Sequence, residues 1–315
     1  MCASLIGASM SRASLVMLVF ASSVATWSGC TDGKSEPDSG TTSTDETGSS
    51  GGGDDGEDPG PLGALTGIVV DNSSAPLEGV SVQLCREVCK LSRTDGSGAF
   101  HVEAAPGRWA FEVIVDTADP TSGWATPLSV VDIMEDVDRA LTEPVVVPRL
   151  DAVVPLASDG PVEVGSGLWL DVVASEWEPP VLTPDAEPWV GGVQVDAAAL
   201  GLPLDGVEQG ISAAWYIAPV DCHPQQPWAM SFTNTFEWTA GQSADVWVAD
   251  YGSQSWQSVG PVTVSEDGAW LRGAHLSVFG TVLLLTPDPA AEEEDAGDGL
   301  KAERRGSPVP TEAGH

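Results

Sequence analysis

The chain has 315 residues, with 12 Lys and Arg against 47 Asp and Glu, for a formal net charge of −35. That excess excludes nucleic acid as a partner, because binding phosphates needs clustered cations, and it opposes direct adhesion to anionic lipid. The length between its low-complexity ends is enough for two domains with real cores.

The chain begins with one cation, Arg12, followed by the apolar run Ala13-Ser-Leu-Val-Met-Leu-Val-Phe-Ala21 and small residues up to Trp27-Ser28-Gly29-Cys30. Weak positive charge, a short apolar core and small residues before a break are the order of an export signal. The core is shorter than the roughly 20 apolar residues a spanning helix needs, so membrane contact would have to come from a lipid. Ser28-Gly29-Cys30 resembles the lipobox of bacterial lipoproteins. The resemblance implies that residues 1–29 are removed and that Cys30, acylated on its thiol, becomes the mature N-terminus. The alternative is an ordinary secretory signal cut near Ala25. From Thr31 to Pro61 the chain is rich in Ser, Thr, Gly and Asp and almost free of apolar side chains, so residues 30–61 are expected to be a disordered tether. A flexible leash of that length has an r.m.s. span of about 30 Å. In lipoproteins the residue after the acylated Cys influences sorting, and Thr31 in place of Asp leans towards the outer membrane or cell surface.

Strand-like text starts at Leu65. Leu65–Val70 and Val80–Leu84 alternate apolar and polar residues, and Asp95-Gly96-Ser97-Gly98 is a strong turn signal before Phe100–Ala104. Pro106-Gly107 then turns the chain into Trp109–Val115. Cys85 and Cys89 would lie about 13 Å apart in one extended strand, too far to bridge. A three-residue hairpin loop, Arg86-Glu87-Val88, brings them together, so a disulfide staple is expected there. Cys222 is then left as an odd thiol. The segments Gly67–Asp71, Pro76–Val82, Thr94–Gly98 with Phe100, and Pro106–Trp109 together resemble the carboxypeptidase regulatory-like domain. The resemblance covers residues 62–150 and implies a prealbumin-like (transthyretin-like) sandwich that acts as a structural or interaction module without catalytic residues.

From Asp151 the strand pattern continues through Leu168–Val173, Val193–Val195, Trp228–Phe232, Asp245–Val248, Pro261–Val264 and Ser277–Leu285. This points to a second sandwich over residues 151–286, followed by a charged, aperiodic tail from 287 to 315 that should be disordered. The expected fold is therefore all-β, two consecutive antiparallel β-sandwich domains flanked by disordered tails. Trp247, Trp256–Gly260 and His275-Leu276-Ser277-Val278-Phe279 are similar to the self-cleaving segment of ZU5-type domains and adhesion receptors. That similarity implies His275 as base, Ser277 as nucleophile and Leu276–Ser277 as the cut bond. The alternative is that both are ordinary strand residues.

Twelve tryptophans stand against two tyrosines. Exposed Trp can stack on sugar rings, and Trp177, Trp189 and Trp228, beside Pro and loop segments, are the candidates for that role. Trp109, Trp169 and Trp247 alternate with polar residues and are expected in the core. Cys222-His223 lacks further ligands at zinc spacing, so no metal and no cofactor is expected. The sequence thus reads as a non-catalytic envelope or surface lipoprotein. Its membrane contact would be the lipid on Cys30, and its unidentified partner a protein or a glycan. A carbohydrate-binding accessory protein and a self-cleaving sandwich are the alternatives.

Overall fold

A computed structural model describes residues 60–115, 123–180 and 187–287. The expected leader, Cys30, the expected tether as far as residue 59 and the expected tail from residue 288 lie outside them. Among the described residues the protein is all-β, with only short 3-10 turns at Ala174–Glu176 and Ala197–Ala199. No described helix is long and apolar enough to cross a membrane.

Two small sheets come first. One holds β1 (Gly63–Val70) between β4 (Ala99–Ala104) and β7 (Asp138–Ala140), with β8 (Val145–Val146) pairing the end of β1. The β1–β7 and β1–β8 pairs are parallel, a departure from the purely antiparallel pattern expected. The other sheet runs β3 (Cys89–Arg93), β2 (Ser81–Cys85), β5 (Gly107–Ile114), β6 (Leu128–Ile133), all antiparallel. Val82 and Leu84 face the same side as Val113 and Phe111, their cross-strand partners, and this side packs on Leu65, Val69 and Phe100 of the first sheet. Alternation therefore builds the core between the two sheets as the sequence predicts.

The turns are made by side chains the sequence announces. Asp95 Oδ1 accepts from Ser97 N at 2.8 Å and Ala99 N at 3.0 Å. Gly98 follows with φ of 77°, and a Cβ there would fall 2.4 Å from the Val69 carbonyl oxygen. Thr94, buried beside this turn, accepts from Val80 N at 2.9 Å and donates to Leu77 O at 2.6 Å. Thr94→Val keeps the shape but orphans both backbone groups. Urea denaturation should register a loss of about 1–2 kcal/mol; an unchanged midpoint would mean that neither group depends on the hydroxyl.

The remaining strands form one ten-stranded sheet. They are β9 (Ala152–Pro155), β10 (Gly160–Gly165), β11 (Leu168–Val172), β12 (Trp189–Val195), β13 (Ile211–Ala218), β14 (Trp228–Thr233), β15 (Ser243–Asp250), β16 (Ser255–Val264), β17 (Trp270–Leu276) and β18 (Thr281–Leu285). The order across the sheet is β10-β11-β14-β17-β16-β15-β18-β13-β12-β9. The sheet rolls until its ends meet: a Cβ on Gly165 of β10 would lie 2.8 Å from the backbone carbon of Gly192 on β12. Inside the roll Leu168, Leu170, Trp215, Trp228, Phe232 and Leu276 form a second core.

The two halves are not separate bodies. The described residues fall in one compact unit, and strand β18 is buried along its whole length. Its Leu283 and Leu285 join the core of the small sheets, while Val282 and Leu284 enter the rolled sheet's core. The segment after β12 also reaches across. Leu204 bridges Val130 on the outer edge of β6, Ser129 Oγ donates to Pro203 O, and Asp205 accepts from Asp132 N at 2.8 Å. That covers an edge which would otherwise present unpaired backbone.

Candidate functional site

Of the residues singled out from the sequence, Cys30 lies outside the described residues. Cys85 and Cys89 are joined by a disulfide across the Arg86–Val88 loop, where β2 and β3 pair them directly. Cys222 is a free thiol with no exposed surface, and it donates to the Glu178 carbonyl at 3.0 Å. Burial, with the charge of Asp221 adding to it, pushes its pKa up to about 12, so it is protonated and inert at neutral pH.

Trp177, Trp189 and Trp228 are only 8%, 6% and 1% exposed, so none offers a ring face to a sugar. Trp177 and Trp228 lie in the rolled sheet's core, where Trp228 meets Phe279 edge-on at 5.6 Å. Proximity to loops misdirected the choice, because alternation along β14 turns Trp228, Met230 and Phe232 inward together. Trp109 is buried as expected, whereas Trp169 and Trp247 are only half-buried. His275 ends up exposed on β17 and Ser277 exposed in the bend after it. Among the described residues no hydrogen bond joins the two side chains, and neither residue has positive φ.

The structure also assembles a polar cluster that the sequence does not announce. The outer face of the β2–β5–β6 sheet packs against the rolled sheet: Leu128 N donates to Thr281 Oγ1 at 3.0 Å, and Cys89 Sγ lies 3.2 Å from the Tyr251 hydroxyl. Glu112 of β5 points into this seam, since it pairs with Gln83 on β2 and Leu128 on β6. Loss of hydration, reinforced by the charge of Asp221, raises its pKa to about 7. Tyr251 is raised as well, first by burial and then by Glu112 and Asp221. Asp221 itself sits 3.0 Å from His223 Nε2. The seam can therefore take up a proton near neutrality, and no hydroxyl or thiol in it is activated for attack. The sign of such a site in sequence is an acid between apolar residues on the second face of a strand, here Ala110, Glu112 and Ile114. Among the described residues no three His, Cys, Asp or Glu side chains are grouped to hold a metal ion.

The fold is that of an all-β protein built from layered sheets. No family model matches the chain, and no curated protein does. Solved structures that align with it include the Bacillus anthracis TIE protein, at 10% identity and a TM-score of 0.24, over 72% of this chain and 32% of that one. A streptococcal ancillary pilin aligns at 16% identity and a TM-score of 0.21, over 72% of this chain and 54% of the pilin. A DUF3823 family protein from Parabacteroides merdae aligns at 10% identity and a TM-score of 0.22, over 70% of this chain and 99% of its own. The chain thus spans less than two thirds of the first two proteins. Likenesses this distant carry no functional weight.

Proposed function

We propose that this protein is an exported lipoprotein, held at the bacterial envelope by acyl chains on Cys30, whose layered β body is a non-catalytic structural or binding module. The observation that carries the reading is the Cys85–Cys89 disulfide. Such a bond persists in oxidising compartments and is rare in the reducing cytosol. The buried, protonated thiol of Cys222 fits the same setting, since it cannot exchange with the bond. The lipobox-like Ser28-Gly29-Cys30 supplies the attachment and the acidic tether the reach, with Thr31 favouring the outer membrane or surface. The resemblance of residues 62–150 to carboxypeptidase regulatory-like modules supports a role in scaffolding or binding.

Mass spectrometry of the mature protein from membrane fractions tests this. A chain starting at a di- or triacylated Cys30 is the expected result. Full-length material with Met1 in the cytosol, or a soluble chain cut near Ala25, would overturn the anchor. The same spectrum reports self-cleavage, since a fragment beginning at Ser277 would show that the body is not chemically silent.

A further inference from the structure

The sheet β3–β2–β5–β6 has two outer edges, and only one is covered. The segment through Leu204 lies along β6, but among the described residues β3 pairs with β2 alone. Thr94 N donates to Val80 O at 3.0 Å, so bonded pairs fall at Val80–Thr94 and alternately beyond it, at Ser92 and Lys90. Cys85 and Cys89, with Cα atoms 4.0 Å apart, are accordingly a close, non-bonded pair. Cys89, Leu91 and Arg93 therefore turn their N–H and C=O groups away from β2, along an open edge. The side chains there are distinctive too. Val88 and Leu91 are 68% and 67% exposed. Three of the chain's 12 Lys and Arg, namely Arg86, Lys90 and Arg93, fall on this hairpin beside a single acid, Glu87. Arg86 stacks on the Trp109 ring at 4.0 Å, and Arg93 donates to Gly79 O at 2.8 Å. Among the described residues none of the three cations meets a carboxylate.

We propose that β3 receives an extended acidic polypeptide strand from another protein, added antiparallel along its open edge. Backbone groups of Cys89, Leu91 and Arg93 supply the ladder, and side chains on both faces supply the selection. Leu91 and Arg93 share the face of their partners Gln83 and Ser81, while Lys90 takes the other face with Leu84. A guest residue opposite Leu91 is therefore apolar, and those opposite Lys90 and Arg93 are acidic. Cations alone are a common guard of a free edge, but a guarded edge does not also present Leu91. A second copy of this chain is disfavoured, since pairing β3 with itself gathers both sets of cations along one seam. The acidic surface elsewhere is screened beyond about 8 Å, so the hairpin's own charges set the local field. The proposal rests on the binding-module reading above and names its ligand class, but it is independent of the anchor at Cys30.

It is tested by titrating the purified full-length protein, disulfide intact, into a fluorescein-labelled peptide Glu-Thr-Val-Glu-Val and following anisotropy. Saturable binding with Kd of about 0.01–1 mM is expected. A Lys-Thr-Val-Lys-Val peptide should bind about tenfold more weakly, or less well still. Leu91→Pro removes an N–H that faces away from β2, so the β2–β3 ladder survives while the edge is blocked. It should weaken binding by about tenfold or more, with near-ultraviolet circular dichroism unchanged. Lys90→Glu, at an exposed position, should weaken it about fivefold and improve binding of the lysine peptide. Absence of saturable binding up to about 5 mM overturns the proposal. So does equal binding of the two peptides, or binding untouched in both variants. Sedimentation with phosphatidylglycerol vesicles that Lys90→Glu abolishes, with no peptide bound, also overturns it and assigns the hairpin to a lipid surface.

Discussion

Gly192→Val should lower the stability of the folded protein by about 3 kcal/mol or more, or abolish folding, the upper end for overpacking because the site cannot yield. A Cβ at Gly192 would lie 2.5 Å from the Val164 carbonyl oxygen and 3.1 Å from that of Tyr216. Both obstacles are backbone held in the sheet, so relief requires β10 and β12 to separate where the roll closes. Gly165 makes the reciprocal approach, with Val193 N 2.9 Å from its ideal Cβ. Gly96→Ala is the control, since its Cβ would meet nothing nearer than Glu78 Oε2 at 3.9 Å. Urea midpoints for the two variants measure the effect. If Gly192→Val unfolds within experimental error of the control, the sheet does not close as described.

The second large effect is a dependence on pH. Glu112 binds its proton more tightly in the folded protein, where its pKa is about 7, than in the unfolded chain, near 4.5. The folded state therefore gains from protonation. Stability is fully present below pH 4.5, falls as pH rises through the interval and levels off above about 7. The shift converts to a decline of about 3 kcal/mol at most, and nearer 2 after allowing for residual solvent around the carboxyl. Asp71, Asp95, Asp132 and Asp267 have lowered pKa values, so their contributions are lost only as pH falls below the ordinary Asp range. Repulsion among the excess of acids slopes the same way as Glu112, so the diagnostic is the variant. Glu112→Gln should be more stable than wild type at pH 8 and should flatten the slope between pH 5 and 7. Parallel wild-type and variant curves across that range would show that Glu112 does not titrate in the seam.

Much of the fold is legible from local chemistry. The Asp95 turn, the Cys85–Cys89 hairpin and the alternation of β2 and β5 depend on neighbours in sequence, and each is found in the structure. What escaped depends on burial of both faces. Strand β13, Ile-Ser-Ala-Ala-Trp-Tyr-Ile-Ala, does not alternate, because Ala214 and Tyr216 face one core while Ala213, Trp215 and Ile217 face the other. Strand β17 is interrupted where its pairing slips between Ala229 and Ser231 of β14, so its period breaks at Gly273. The same blindness governs the tryptophans. Alternation says that Trp169 and Trp228 take opposite sides from their neighbours, but only the register of β11 on β14 decides which side is solvent. Glu112 was missed for a related reason, since nothing local shows that a second sheet covers it.

The placement of β18 bears on how the fold is completed. It is the last of the described strands in chain order, yet it lies between β15 and β13 and links both cores. Until residues 281–285 emerge, the ten strands cannot be completed and neither core is full. A chain still lacking those residues leaves apolar faces of both sheets uncovered, so the two cores are completed in one late step rather than one after the other.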